Sequence, residues 1–188
     1  MGKHSFLKVV VLGLFIATAV AFSSAQAINS GAQPIALNAT LGESLTVNLS
    51  AAAVNFTLTA GSAANPGSTT ITATTAWVLK PGRTAMTVDA YFASAAAALT
   101  DGAGNNIPSS AFFISDNGGA SAALVNTVAF GGANAGLRLA NVAIGGGNRA
   151  GSRTDLMAYN INLTGGTLPN LPAGTYTGTL NIQAQATP

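Results

Sequence analysis

The 188-residue chain contains no cysteine, and its single histidine, His4, stands among the first residues. Charged residues make up 6% of it and aromatics another 6%. Each shortage excludes something. Without cysteine there is no disulfide framework, no thiol nucleophile and no thiolate zinc site. With the only imidazole at position 4, no Ser-His-Asp triad can form in the body of the chain. A Ser-Lys pair would have to use Lys80, which sits in the turn sequence Lys80-Pro81-Gly82-Arg83. Two carboxylates can hydrolyse a glycoside, but most of the five available read as solvated turn residues. The composition therefore predicts a protein that is not an enzyme and holds no cofactor.

The one long uncharged run is at the start, from Val9 to Phe22, behind the basic residues Lys3, His4 and Lys8 and ahead of Ala25-Gln26-Ala27. A basic start, a short apolar stretch and an A-x-A site are the plan of a secretory signal peptide. The run is short for a membrane span of roughly 20 residues. The expected organisation is a signal over residues 1–27, cleaved after Ala27, and a single domain over residues 28–188 with no membrane span. That division changes the charge reading. Lys80, Arg83, Arg138, Arg149 and Arg153 balance Glu43, Asp89, Asp101, Asp116 and Asp155, so the formal +2 of the whole chain belongs to the signal. Nothing in that balance attracts nucleic acid.

Period-two alternation fills the remainder. Leu45, Val47 and Leu49 alternate with Thr46 and Asn48. Similar series run through Val54-Phe56-Leu58, Ile71 to Leu79, Met86 to Phe92, Met157 to Leu163 and Tyr176 to Ala184. Successive side chains of a strand point to opposite faces, so each series can bury one face and wet the other. From Leu137 to Ile144 the parity slips between Leu139 and Ala140, which predicts a bulge or two short strands. Turn sequences separate the series, including Pro81-Gly82, Asp101 to Asn106 and Asp116 to Gly119. The stretch from Gly145 to about Asp155 reads as a flexible connection, and Ala93 to Leu99 as one or two helical turns. Nine or ten short strands predict an antiparallel β-sandwich of Greek-key or immunoglobulin-like type. A membrane barrel would need aromatic girdles that 6% aromatic content does not supply.

Ligand signals are sparse. Asp101 and Asn105 lie in an oxygen-rich, glycine-spaced loop that calcium can use, although the same residues are ordinary turn formers. The glycines around Gly145 lack the Lys-[Ser/Thr] of a phosphate loop. Arg149 and Arg153 read as a solvated pair, with Asp155 offsetting one charge. Trp77 shares parity with core residues, which leaves Tyr91 as the better exposed platform for a sugar.

The low charge bears on assembly. Exposed strand edges are commonly guarded by lysine, proline or inward charge, and here the strands carry Thr, Ser, Asn and Ala. Such edges suit pairing with a neighbouring subunit. Ile35, Leu37, Ala39 and Leu41 alternate with Ala36, Asn38 and Thr40, a pattern read first as an ordinary first strand and second as an arm given to another copy. Its partner would be the groove beside the Tyr176 to Ala184 strand.

The segment "LPAGTYTGTLNIQAQA" resembles the closing motif of spore coat protein U and fimbrial pilin-like proteins. Pro172, Gly174, Thr175 and Tyr176 carry the likeness, followed by Leu180 and Ile182. The resemblance implies a bacterial envelope or appendage subunit assembled by strand donation, with self-association, another envelope protein or a periplasmic chaperone as partner. The expected function is a non-enzymatic structural or adhesive subunit exported to the periplasm, cell surface or medium. The alternative is a monomeric secreted module that binds carbohydrate or protein.

Overall fold

A computed structural model describes residues 30–188; the expected signal, its cleavage at Ala27 and Ile28 lie outside the described residues. The chain divides into two units at Ala39/Thr40. Of the first unit, residues 30–39 are described, and they form no strand.

The second unit is all-β. Its strands are β1 (Ser44–Leu49), β2 (Asn65–Pro66), β3 (Ile71–Val78), β4 (Ala85–Tyr91), β5 (Leu99–Thr100), β6 (Asn106–Ile107), β7 (Phe112–Asp116), β8 (Ala122–Ala123), β9 (Gly136–Ala143), β10 (Ala150–Ile161) and β11 (Asn181–Thr187). They make an antiparallel sandwich. One sheet has the order β1-β3-β10-β7-β8, with β2 also on β10; the second has the order β11-β4-β9, and β5 and β6 pair separately as a two-stranded ribbon. Both sheets are open, with β1 and β11 as edge strands.

β10 organises the larger sheet. Its first two thirds pair with β3, from Ala150↔Val78 to Met157↔Ile71. Its last five residues pair with β7, from Met157↔Asp116 to Ile161↔Phe112. Alternation then sorts the faces: Ile71, Ala73, Thr75 and Trp77 of β3 and Asp155, Met157, Tyr159 and Ile161 of β10 are all buried. In the smaller sheet Met86, Val88 and Ala90 of β4 face the same interior. One core cluster gathers around Phe92, Phe112, Ile114 and Met157. A second gathers around Trp77, Met86, Val88 and Ile144. Trp77 keeps its polar end satisfied by donating from Nε1 to the Asn148 carbonyl at 2.9 Å. Its ring lies so close to Gly151 that a Cβ there would meet Cζ2 at 2.8 Å.

Several expectations need correction. The stretch from Gly145 to Asp155 is not all connection, because β10 begins at Ala150; pairing to β3 across Gly151 and Arg153 recruits it. Ala93 to Leu99 is not helical. Its backbone is held by residues far along the chain, with Ala98 N–H donating to the Ile107 carbonyl and Ser109 N–H to that of Ala95, both at 2.9 Å. Those bonds outcompete an isolated helical turn, which fixes several residues for one hydrogen bond. Two short 3-10 turns occur elsewhere, at Ser109–Ala111 and Leu168–Asn170. The parity slip near Leu139 is a bulge on β9: Val88 pairs with Ala140 and Asp89 with Arg138, leaving Leu139 over. Gly82 takes φ +98°, as the third position of a Pro-Gly type II turn requires.

Candidate functional site

Two of the predicted strands are where the sandwich fails to close. Val54, Phe56 and Leu58 do turn one face inward, but their segment forms a single bridge, Phe56↔Gly67. Asn55 adds a hydrogen bond from Ser68 N–H to its carbonyl at 2.8 Å. The predicted Tyr176 to Ala184 strand starts only at Asn181, and before it lies one bridge, Thr100↔Thr177. β11 hydrogen-bonds β4 on one side, and no strand among the described residues is hydrogen-bonded to its other edge.

Between these two under-paired segments lies a groove of about 840 Å³. Val54, Phe56 and Leu58 form one wall, and Leu171, Tyr176 and Leu180 the other. The floor is an aromatic cluster centred on Phe112. Its ring centroid lies 5.7 Å from Phe56 at an interplanar angle of 70°, and 5.1 Å from Phe92 at 82°. Both are the edge-to-face geometry that aromatic quadrupoles favour. Tyr159 completes the floor at 5.9 Å. Burial pushes its phenol up to about 12, so it stays neutral. No charged side chain lines the groove. Such a surface offers apolar packing and unpaired strand edges.

The structure brings together Gly174, Tyr176, Leu180 and Ile182, all of which line the groove. Tyr176 holds the turn of the Pro172-to-Tyr176 motif: its hydroxyl donates to the Pro172 carbonyl at 2.9 Å. Partial burial, and then the Asp101 charge, raise its pKa above the ordinary tyrosine value. Ile35, Leu37, Ala39 and Leu41 do not join a sheet. Ile35 is 83% exposed, Leu37 90% and Leu41 85%. The reading of this alternation as an ordinary first strand does not hold in the described chain, whose first strand begins at Ser44.

Asp101 and Asn105 lie at the β5–β6 turn and are occupied with each other. The Asp101 carboxylate accepts from Asn105 Nδ2 at 2.6 Å and from the backbone N–H groups of Ala103 and Asn105 at 2.8 and 3.0 Å. Those donors, Asn105 first, hold its pKa below the usual carboxylate range. An amide N–H donated to the carboxylate is the hydrogen bonding of an ordinary Asx turn. No group of three His, Cys, Asp or Glu gathers among the described residues, and no helix among them is long and apolar enough to cross a membrane.

The reading of the carboxylates as solvated is corrected at two positions. Asp89 and Asp155 lie in strands and are wholly buried. Arg153, read as solvated, is half-buried and ion-paired to Asp155. The signal for Asp155 was its shared parity with Met157, Tyr159 and Ile161. No comparable signal exists for the groove, which arises from missing partners and not from residue type. Comparison of the chain with protein-family models, with curated proteins and with solved structures finds no match.

Proposed function

We propose that the protein is an exported, non-enzymatic structural or adhesive subunit of a bacterial cell surface, which assembles when the Ile35–Leu41 arm of one copy fills the groove of another. The observation that carries this reading is the pairing of an unfilled apolar groove with an exposed alternating arm. Filling the groove with an extended segment would cover the Phe112 floor and supply the strand that β11 and the Val54–Leu58 wall lack. Strand addition of this kind takes affinity from the backbone and specificity from alternate side chains.

Chain connectivity favours a second copy over the arm's own groove. β1 starts at Ser44 and meets the groove only at Leu49. An arm folding back at Gly42-Glu43 would run antiparallel to β1, which places Leu37, Ala39 and Leu41 beside β1. Only residues before Ala36 would reach the groove, and apart from Ile35 those described are small or polar. Heterologous pairing of arm to groove builds a ring where its rotation closes and an open chain of subunits where it does not. Before assembly the groove needs cover, which gives a periplasmic chaperone or another envelope protein a role.

Leu37→Asp tests the reading. A charge on the buried face of a donated arm costs a few kcal/mol if it stays ionised and unpaired. Size-exclusion chromatography and electron microscopy should show wild-type oligomers and a folded monomeric variant. Wild-type protein that stays monomeric at high concentration with a protease-resistant arm would overturn it.

A further inference from the structure

Asparagine precedes glycine once in the chain, at Asn117-Gly118 in the turn that follows β7. Asn117 takes φ +50° and Gly118 φ +72°, and the Gly119 N–H donates to the Asp116 carbonyl at 2.8 Å. Positive φ at both central positions is the geometry of a type I′ turn, which selects this dipeptide. The same dipeptide is chemically labile. With no Cβ to shield it, the glycine nitrogen can approach the asparagine side-chain carbonyl carbon closely. Both residues are exposed, so water reaches them.

Ring closure needs an Asn117 side chain that is free to swing Cγ onto the Gly118 nitrogen. The fold denies it that freedom. Oδ1 accepts from the Leu156 N–H of β10 at 3.0 Å, and Nδ2 donates to Asp155 Oδ1 at 3.4 Å. The backbone N–H of Asn117 donates to the Leu156 carbonyl at 2.8 Å. Asn117 is thus tied to β10 through both ends of its amide and through its main chain. The amide is released when the turn lifts from that strand, a local opening that needs no global unfolding.

We propose that Asn117-Gly118 is a deamidation site that folding holds silent, so that opening of this turn is recorded covalently. In the open turn the Gly118 nitrogen bonds to Asn117 Cγ. The Cγ–Nδ2 bond breaks, and the Gly118 proton departs on that nitrogen as ammonia, leaving a cyclic imide. Water then adds to either imide carbonyl carbon and splits its C–N bond, which leaves aspartate or isoaspartate at position 117. The product does not fit the site it left. Its carboxylate has no N–H to offer Asp155 Oδ1. Its charge joins those of Asp116 on β7 and Asp155 on β10, while the Arg153 guanidinium is already closed on Asp155. Asp155 is wholly buried, so salt screens this repulsion poorly. Isoaspartate also routes the main chain through its Cβ, which lengthens the turn. The inference does not depend on the assembly reading, because none of these turn residues lines the groove.

The test incubates the purified full chain at mildly alkaline pH, with and without urea, and maps its peptides by mass spectrometry. Conversion at Asn117 is expected in urea. In the native chain it should be at least about tenfold slower, since reaction there waits on the fraction of turns that are open. Asn134, which also has a positive φ of 56° but precedes alanine, should keep its amide in both. Asn117→Asp, which carries the aspartate product from the start, should lower the thermal midpoint at pH 7. Equal rates with and without urea, no conversion at Asn117 in urea, or an Asn117→Asp variant as stable as wild type would each overturn the proposal.

Discussion

The Arg153 guanidinium closes on the Asp155 carboxylate two positions along the same strand, with Nε 2.9 Å from Oδ2. Both side chains share the parity of Met157 and so turn toward the sandwich interior, where Asp155 has no solvent contact. Asn117 locks the pair in place from the neighbouring turn. Its Oδ1 accepts from the Leu156 N–H at 3.0 Å, and its backbone sits in the left-handed region at φ +50°. Removing the carboxylate would leave a half-buried guanidinium without its counter-charge. Asp155→Ala is expected to cost about 3 kcal/mol, the low end for a broken buried pair because Arg153 retains some solvent contact. Urea denaturation of the variant against wild type measures it. A smaller loss in Arg153→Met/Asp155→Leu than in Asp155→Ala would show that the unpaired charge, not lost packing, sets the cost.

Asp116 stands at the end of β7 beside this pair, and its pKa is raised by burial first and by the Asp155 charge second. A carboxyl whose folded pKa is raised favours the folded state while it is protonated. Its contribution is present below the unfolded pKa and is lost as pH rises through the folded value. Asp116→Asn therefore should stabilise the protein at pH 7 and have little effect near pH 3. For a chain of this size the melting midpoint rises about 2–4 °C for each kcal/mol regained. Differential scanning calorimetry at the two pH values decides it, and a variant less stable than wild type at pH 7 would contradict the assignment.

Phe112 is the ring on which Phe56, Phe92 and Tyr159 converge. Phe112→Ala removes that shared contact and leaves a cavity under the groove, so it is expected to cost about 3–5 kcal/mol. Chemical denaturation checks the magnitude. If the groove binds an arm, Phe112→Leu, which keeps much of the volume, should fold and still show weakened oligomers on size-exclusion chromatography.

The class of fold was legible before any coordinates. Alternation in Leu45–Leu49, Ile71–Leu79, Met86–Phe92 and Leu137–Ile144 marks β1, β3, β4 and β9, down to the bulge beside Leu139. This works because side-chain period is a local property of extended backbone and burial of one face imprints it directly on the residues. The same alternation misleads at Val54–Leu58 and Thr175–Thr179. There the side chains obey the pattern, as the inward packing of Val54, Phe56 and Leu58 shows. The ladders do not follow, because a strand also needs a neighbour, and a neighbour is decided elsewhere in the chain.

The candidate sites divide along the same line. Composition by itself determined that no histidine- or cysteine-based chemistry is available to the body of the chain, and parity by itself determined which residues can face inward. Only the tertiary structure decided that Tyr176, Leu180 and Ile182 share a groove with Val54 and Phe56, and that Thr87 and Asp89 lie between Gln185, Gln183, Asn141 and Arg138. Those relationships join positions tens of residues apart, and cross-strand register sets them. Register depends on how two sheets pack and which edges stay open, and no local pattern of residues encodes that.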